Sequence, residues 1–218
     1  FFGSTGAATV RIGMRGCAGN VRFVFAVGQP AFMEFEFWGV SSPSDADGTP
    51  SNTFALKPTD DVLNTLTHET SIPNVCNGIA FTYAGNSKRV GSLTVDIGNR
   101  VVPLESLGDE CHISHYAITD RAVGGECDPE FGLVANDDDY VSDLNAGTEV
   151  ALAWTVTQSA TSSPSVLART IAFSIPKAQL TAVNFGDRNG IVTAQCTYAA
   201  NKSAEPGDDE FTMTVTGS

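Results

Sequence analysis

The stretch "GNVRFVFAVGQPAFMEFEFWGV", residues 19–40, contains two alternating apolar runs separated by a short turn. In residues 21–27 every odd-numbered residue is apolar. The odd-numbered residues of 31–37 are apolar again, while Glu34 and Glu36 take the opposite face. A period of two is the signature of a β-strand with one buried face. The Gly-Gln-Pro sequence at 28–30 suits a turn. The stretch therefore predicts two antiparallel strands joined by a tight connection.

The same period of two recurs downstream, and Gly- and Pro-containing turns separate the runs. The alternating segments are 79–83, 93–97, 150–156, 171–175 and 211–215. Many short alternating strands are typical of an antiparallel β-sandwich or barrel. The sequence therefore predicts a mainly β fold.

One short helix interrupts this pattern, in "ANDDDYVSDLNAGT", residues 135–148. Asn136 or Asp137 would cap the first turn, where carboxylates complement the unpaired amides and the helix dipole. Gly147 suits the C-terminal stop. We expect about two turns of helix that depend on packing against a sheet.

A second stretch, "NGIVTAQCTYAANKSAEPGDDEFTMTV" at 189–215, has the same plan as 19–40: a strand, a Pro-containing turn and a second strand. If both are final hairpins, the chain holds two related copies of one domain, the first incomplete. We then predict that 1–40 is the C-terminal hairpin region of an upstream domain, completed by further chain before Phe1. The Ser-, Thr-, Pro- and Asp-rich stretch 41–75 would be a linker or arm, and 76–218 a complete β domain.

Composition narrows the possible partners. The net charge is −13, and such an acidic chain is a poor grip for nucleic acid, because phosphate binding relies on Lys and Arg. No apolar run approaches the length of a membrane span, so we predict no membrane association. The five cysteines include no Cys-x-x-Cys pair, which favours a reducing site of assembly over a disulfide scaffold.

Several groups of residues have the types needed for a metal or catalytic site, but each has a simpler structural interpretation. Cys111, His112, His115 and Cys127 are residue types that bind zinc, but on a strand Cys111 and His115 would lie about 13 Å apart. The acidic run 208–210 is most simply a solvated turn, as is "GMRGCAG" at 13–19. No nucleophile elbow or other catalytic context is present. We predict a protein that is not an enzyme and that needs no metal or cofactor.

Several segments together resemble the major tail tube proteins of long-tailed, siphovirus-type bacteriophages. The segments are "MRGCAGNVRFVFAVGQPAFMEFEFWGV", "LTVDIGNRVVP" and "YAITDRAVGGECDPE", the last followed by the acidic helix. The resemblance covers most of 11–155 and is weaker beyond. Members of that family carry much more chain before the "RGNV"-like segment, and here only about ten residues precede it.

The resemblance implies a structural virion protein that oligomerises into stacked rings. The rings would form the tail tube, through which DNA passes to the host without specific binding. It also implies assembly in the host cytoplasm, a tape-measure protein and tail terminator or tip proteins as partners, and an acidic lumen. Glu34, Glu36 and Asp96 are the candidate lumen-facing acids. From the repeat we expect a trimer with pseudo-sixfold symmetry, with a hexamer as the fallback.

A rival interpretation from another class is an immunoglobulin-like β-sandwich module for adhesion or surface decoration. It explains the strands equally well. It does not account for the helix or for two similar strand–turn–strand endings.

Overall fold

The computed structural model describes residues 2–3, 9–11, 14–41, 55–57, 79–108, 112–132, 139–158, 169–204 and 208–217. Within these ranges the chain forms fifteen strands and one helix. They are β1 (Phe2–Gly3), β2 (Thr9–Arg11), β3 (Met14–Ala26), β4 (Phe32–Ser41), β5 (Ala55–Lys57), β6 (Ala80–Tyr83), β7 (Asn86–Lys88), β8 (Val90–Asp96), β9 (Asn99–Glu105), β10 (Ile113–Arg121), β11 (Gly124–Pro129), α1 (Tyr140–Ala146), β12 (Glu149–Gln158), β13 (Arg169–Arg188), β14 (Ile191–Ala200) and β15 (Thr212–Gly217). The prediction of a mainly β, antiparallel fold with one short helix is confirmed.

One large sheet organises most of the chain. Its ten strands run in the order β4-β3-β8-β11-β14-β13-β12-β6-β7, and β15 pairs with β13 off this path. Two smaller sheets hold β1, β2 and β5, and β9 with β10. Among the described residues, β4 and β7 are therefore the two ends of the large sheet.

The 20-residue strand β13 links the two halves of the large sheet. Its first half, up to Ser174, lies between β12 and β15. Its second half pairs with β14. The register shifts between Leu180 and Ala182, and such an irregularity bends a strand. β13 therefore belongs to both halves of the large sheet.

Aromatic side chains fill the space between the two halves of the sheet. Trp154 of β12 and Phe173 of β13 stack with ring centroids 5.1 Å apart. Phe25 of β3 meets both rings edge-on, at 6.0 Å from Trp154 and 5.3 Å from Phe173. Phe23, also on β3, contacts Phe173 in the same way. The odd-numbered apolar face of 21–25 is therefore buried against β12 and β13, as in a sandwich.

The structure divides the chain differently from the boundaries predicted at 40 and 75. One compact unit contains residues 1–19, 36–70 and 100–120, and the other contains 20–35, 71–99 and 121–218. Residues 22–26 of β3 pair with β8, so the first alternating run belongs to the same core as the downstream strands. The physical reason is that the apolar face of 21–25 needs a partner layer, which 1–40 alone does not supply.

The likeness between 19–40 and 189–215 does not extend to strand pairing. β3 and β4 are neighbours in the sheet. In contrast, β14 pairs with β11 and with the second half of β13, while β15 pairs with Arg169–Ser174 of β13. The interpretation of 189–215 as a hairpin is wrong, because β13 is long enough to accept both strands one after the other. The repeat built on it loses this support.

The helix lies where the sequence places it, but it begins later. The N-cap is Asp139, whose carboxylate accepts a hydrogen bond of 3.0 Å from the Ser142 amide. Gly147 ends the helix in the left-handed conformation, as predicted. Tyr140, the first residue of the helix, is buried. Asn136 and Asp137, the caps expected from the sequence, lie outside the described residues.

The glycine-rich stretch 13–19 was predicted to be a turn, but Met14–Ala26 is one continuous strand. Gly16 adopts φ +55° within it. A Cβ at this position would lie 2.6 Å from the Cβ of His115, so Gly16 permits both the unusual backbone and the close approach.

Candidate assembly surface

The acids predicted on the second alternating run lie on an end strand of the large sheet. Glu34 and Glu36 of β4 are both exposed. The alternation itself is as predicted, but four apolar residues beside these acids are not buried. The exposed fractions are 49% for Phe32, 50% for Met33, 56% for Phe35 and 60% for Phe37. We call residues 32–37 of β4 the β4 edge.

The β4 edge is an unusual surface for an isolated chain. Proteins ordinarily protect end strands with charge, proline, bulges or a covering element, because open backbone groups recruit other strands. Here two carboxylates alternate with large apolar side chains. Contiguous exposed apolar surface of this kind marks interaction sites. The arrangement is suited to pairing with another strand while the carboxylates oppose indiscriminate association.

Close packing between β3 and β4 explains how this hairpin holds its shape. A Cβ on Gly19 would lie 2.6 Å from the Phe37 ring and 2.4 Å from the Glu36 carbonyl oxygen. Phe37 therefore covers a strand position without a side chain. At the other end the Gln29 amide donates to the Ala26 carbonyl at 3.1 Å, and Gly28 has φ +74°.

Asp96, the third candidate acid, is half-buried at the end of β8. Its Oδ1 accepts hydrogen bonds from Asn20 Nδ2 and from the Gly98 amide, each at 2.7 Å. Asn20 Oδ1 in turn accepts from the Asn99 amide at 3.1 Å. Gly98 has φ +65°, and a Cβ there would lie 2.1 Å from the Ala122 carbonyl oxygen. Asp96 thus shapes the turn after β8, and its place in a lumen stays a prediction.

Two other strands each pair with a single strand within the described residues. β7 ends the large sheet opposite β4. β15 pairs on one side with β13, and its Met213 and Val215 are exposed. Phe211, just before β15, packs against the core. The β15 strand is uncharged, with Thr alternating with these apolar residues.

A basic doublet marks the β7 end. Lys88 ends β7 and Arg89 follows it. They are the only two basic residues adjacent in the whole sequence. Beside them lies a pocket of about 260 Å³. It is lined by Phe25, Ala26, Val27, Ile79, Ser87, Lys88, Arg89, Val90, Gly91, Ser92 and Leu93. We call Ser87–Arg89 with this pocket the basic corner.

An ion cluster next to the basic corner fixes the neighbouring strands. The Asp128 carboxylate accepts hydrogen bonds from the Gly91 and Ser92 amides, each at 2.6 Å. Arg188 bridges Asp128 at 3.3 Å and Glu130 at 2.9 Å. These contacts connect β8, β11 and β13 at one place. They therefore stabilise the strands beside the basic corner.

The acidic run 208–210 was predicted to be a solvated turn, but part of it is buried. Glu210 is buried, and its carboxylate accepts from Arg121 at 2.5 Å. Arg121 also donates to the exposed Asp208 at 3.0 Å. Hydrogen bonds from the Ser203 hydroxyl and amide lower the pKa of Asp209. The ion pair between Glu210 and Arg121 therefore fixes the position of the chain just before β15.

Two buried tyrosines of the core, Tyr83 and Tyr198, donate hydrogen bonds. Tyr83 donates to Asp143 Oδ2 at 2.8 Å, and burial, followed by that hydrogen bond, raises the pKa of the phenol. Tyr198 donates to the Thr94 carbonyl at 2.8 Å, and burial raises its pKa as well. Both phenols act as packed hydrogen-bond donors that connect the helix and the strands.

The cysteines and histidines weighed as metal ligands have separate surroundings. Cys127 and Cys196 are both buried and face each other across β11 and β14. A hydrogen bond with Cys196 and burial raise the pKa of the Cys127 thiol. His112 and His115 are exposed, and Cys111 lies outside the described residues. In the part of the chain that the structure describes, no group of three or more potential ligands is close enough to hold a metal ion.

Comparisons with known proteins give no assignment. No protein-family model matches the chain, and a search of curated proteins finds no match. Over the ranges that the structure covers, none of the helices has the length and apolar character needed to cross a membrane.

Proposed function

We propose that this chain is a structural subunit that assembles with copies of itself into the stacked rings of a phage-type tail tube. The observation that carries the proposal is the β4 edge, where large apolar side chains and two carboxylates alternate on an end strand. The sequence resemblance to major tail tube proteins, whose first segment includes these residues, is a second support. The mainly β, antiparallel architecture is compatible with both.

The role of the acids follows from this proposal. Glu34 and Glu36 would face a lumen, with Asp96 as a third candidate. Carboxylates displace no counterions from a phosphate backbone, so DNA would pass along such a wall without binding it. Tape-measure and tail terminator or tip proteins would be the other partners, and the subunit would reside in the virion tail after assembly in the host cytoplasm.

The number of chains per ring is part of the proposal. Three chains with pseudo-sixfold symmetry, as expected from the sequence, and six chains are the two ring sizes to be distinguished. The hairpin likeness that favoured three is not matched by the pairing of β14 and β15, so a direct count is needed. Reconstruction of rings without imposed symmetry would give it.

Self-association is the decisive test. Purified protein should sediment as oligomers at high concentration and form rings or short tubes in negative-stain micrographs. A protein that stays monomeric by analytical ultracentrifugation, with nothing ordered in the images, would refute the proposal and favour the surface-module alternative.

The lumen acids have their own test. Glu34→Gln together with Glu36→Gln should change the free energy of unfolding by less than about 0.5 kcal/mol, because both side chains are exposed. In particles whose tails look intact by electron microscopy, genome ejection should be slower. Ejection at the normal rate would show that Glu34 and Glu36 do not line the lumen.

A further inference from the structure

Two buried cysteines lie directly opposite each other on neighbouring strands of the large sheet. Cys127 of β11 is the register partner of Cys196 of β14. Directly paired residues of an antiparallel sheet project from the same face, so the two thiols lie on one side of the sheet. Both residues belong to the hydrophobic core, with exposed fractions of 3% and 1%. The two thiols therefore face each other in a buried site.

The backbone of the two strands sets the distance between the cysteines. The register is unbroken from Gly124 to Cys127, and the Ala200 amide donates to the Val123 carbonyl at 2.8 Å. Hydrogen-bonded pairs recur at every second residue of an antiparallel ladder, so Cys127 and Cys196 also form such a pair. The Cα atoms of such a pair are about 5.5 Å apart. Disulfides join residues whose Cα atoms are about 4.4–6.8 Å apart, so this spacing suits a disulfide without movement of the backbone.

The two thiols interact with each other in the reduced chain. Both cysteines are free, and a hydrogen bond between them, followed by burial, raises the pKa of the Cys127 thiol. A thiol with a raised pKa is mostly protonated and reacts slowly, because the thiolate is the nucleophile. Oxidation is therefore expected while the chain folds or opens locally, and the folded core then holds the two sulfur atoms together.

We propose that Cys127 and Cys196 form a disulfide when the folding chain meets a low-molecular-weight disulfide such as oxidised glutathione. The thiolate of one cysteine attacks the small disulfide, which gives a mixed disulfide and releases one glutathione thiolate. The thiolate of the second cysteine attacks the protein sulfur of the mixed disulfide and expels the second glutathione thiolate. The cysteine pair loses two electrons and two protons, and oxidised glutathione gains them to become two molecules of reduced glutathione.

The place of this bond in the sheet gives it a structural effect. β11 and β14 are neighbours in the strand order, with β4-β3-β8 on one side and β13-β12-β6-β7 on the other. The chain between the two cysteines contains α1, β12 and β13, and a cross-link that closes a long loop restricts the unfolded chain strongly. A reducing compartment keeps the thiols free, and an oxidising environment permits the bond. The bond depends on contacts within one chain and not on the proposed function.

Refolding in a glutathione buffer tests the proposal. The variant C17S/C76S/C111S retains only the thiols of Cys127 and Cys196. It is unfolded in urea, refolded with oxidised and reduced glutathione, and digested with trypsin without reduction. Most molecules should yield the two cysteine peptides joined, and lighter by two hydrogen atoms than their reduced sum. The Tm of the oxidised protein should lie at least about 4 °C above that of the same protein after reduction.

A matched control moves one thiol to the next residue of the same strand. C196A/T197C, made in the same background, places the thiol at Thr197, which pairs with Glu126 and projects from the opposite face. This control should give glutathione adducts in place of the joined peptides. The unmodified chain, refolded in the same way, should give the joined peptides of Cys127 and Cys196, so the result does not depend on how well the variants fold. Joined peptides no more abundant than in the control, or an oxidised protein that melts no higher than the reduced one, would overturn the proposal.

Discussion

Replacement of Phe25 by Ala, compared with replacement of Phe35 by Ala, tests whether the first alternating run belongs to the main core. Both residues are Phe at alternating positions of neighbouring strands. Phe25 is 4% exposed and contacts Trp154 and Phe173, whereas Phe35 is 56% exposed. The sequence pattern does not distinguish them, and the structure does.

The expected magnitudes differ severalfold. Full burial of a Phe side chain is worth about 1.5–3 kcal/mol by transfer, and the cavity left at Phe25 raises the cost of truncation to about 3–5 kcal/mol. Phe35 has less than half of its surface covered, so its truncation should cost about 1 kcal/mol or less by the same transfer scale. Out of a typical domain stability of 5–15 kcal/mol, the first change is severe and the second minor.

Urea unfolding followed by tryptophan fluorescence provides the assay. Trp154 stacks on Phe173 in the affected core, and a Trp38→Phe background leaves Trp154 as the reporter. The transition of F25A should move to much lower urea, while that of F35A should stay close to the parent. Equal, small effects would show that residues 20–35 are not packed against β12 and β13, and the arrangement of the sheet would have to be revised.

Three further predictions concern single side chains. Tyr83→Phe should lower the free energy of unfolding by about 1 kcal/mol, because a partly buried hydrogen bond to a carboxylate is lost, and a normal urea midpoint would contradict this. Hydrogen bonds from Asn201 and Lys177 lower the pKa of Glu149 below its ordinary 4.5, so its contribution is present above that pH and is lost as pH falls through the folded-state pKa. The stability difference between the parent and E149Q should therefore shrink on acidification to pH ~3, and a constant difference would refute the assignment. Alkylation of the folded protein, mapped by mass spectrometry, should label the exposed Cys17 and spare the buried Cys127 until denaturant is added, and equal labelling would contradict the buried environment.

Alternation predicted the strands of the core well because it records a physical requirement. A strand with one buried face must alternate, and Phe81, Leu93, Leu152 and Ile175 all lie on the faces expected from their period of two. The helix was found for a similar reason, since its acidic start and Gly147 stop are local signals. Pairing partners are set by contacts between distant segments, so the long strand β13 and its succession of neighbours were not predictable from local pattern.

The exposure of the β4 edge was also not predictable from the sequence pattern. The pattern of β4 is the pattern of a half-buried strand, yet Phe32, Met33, Phe35 and Phe37 are 49–60% exposed in the single chain, and Val40 is buried. The adjacent basic residues Lys88 and Arg89 are visible in the sequence, but only the structure shows that they line a pocket together with Phe25 and Val27 of β3. The alternating pattern therefore predicts which residues share a face of a strand, and neighbours from distant segments decide whether that face is buried.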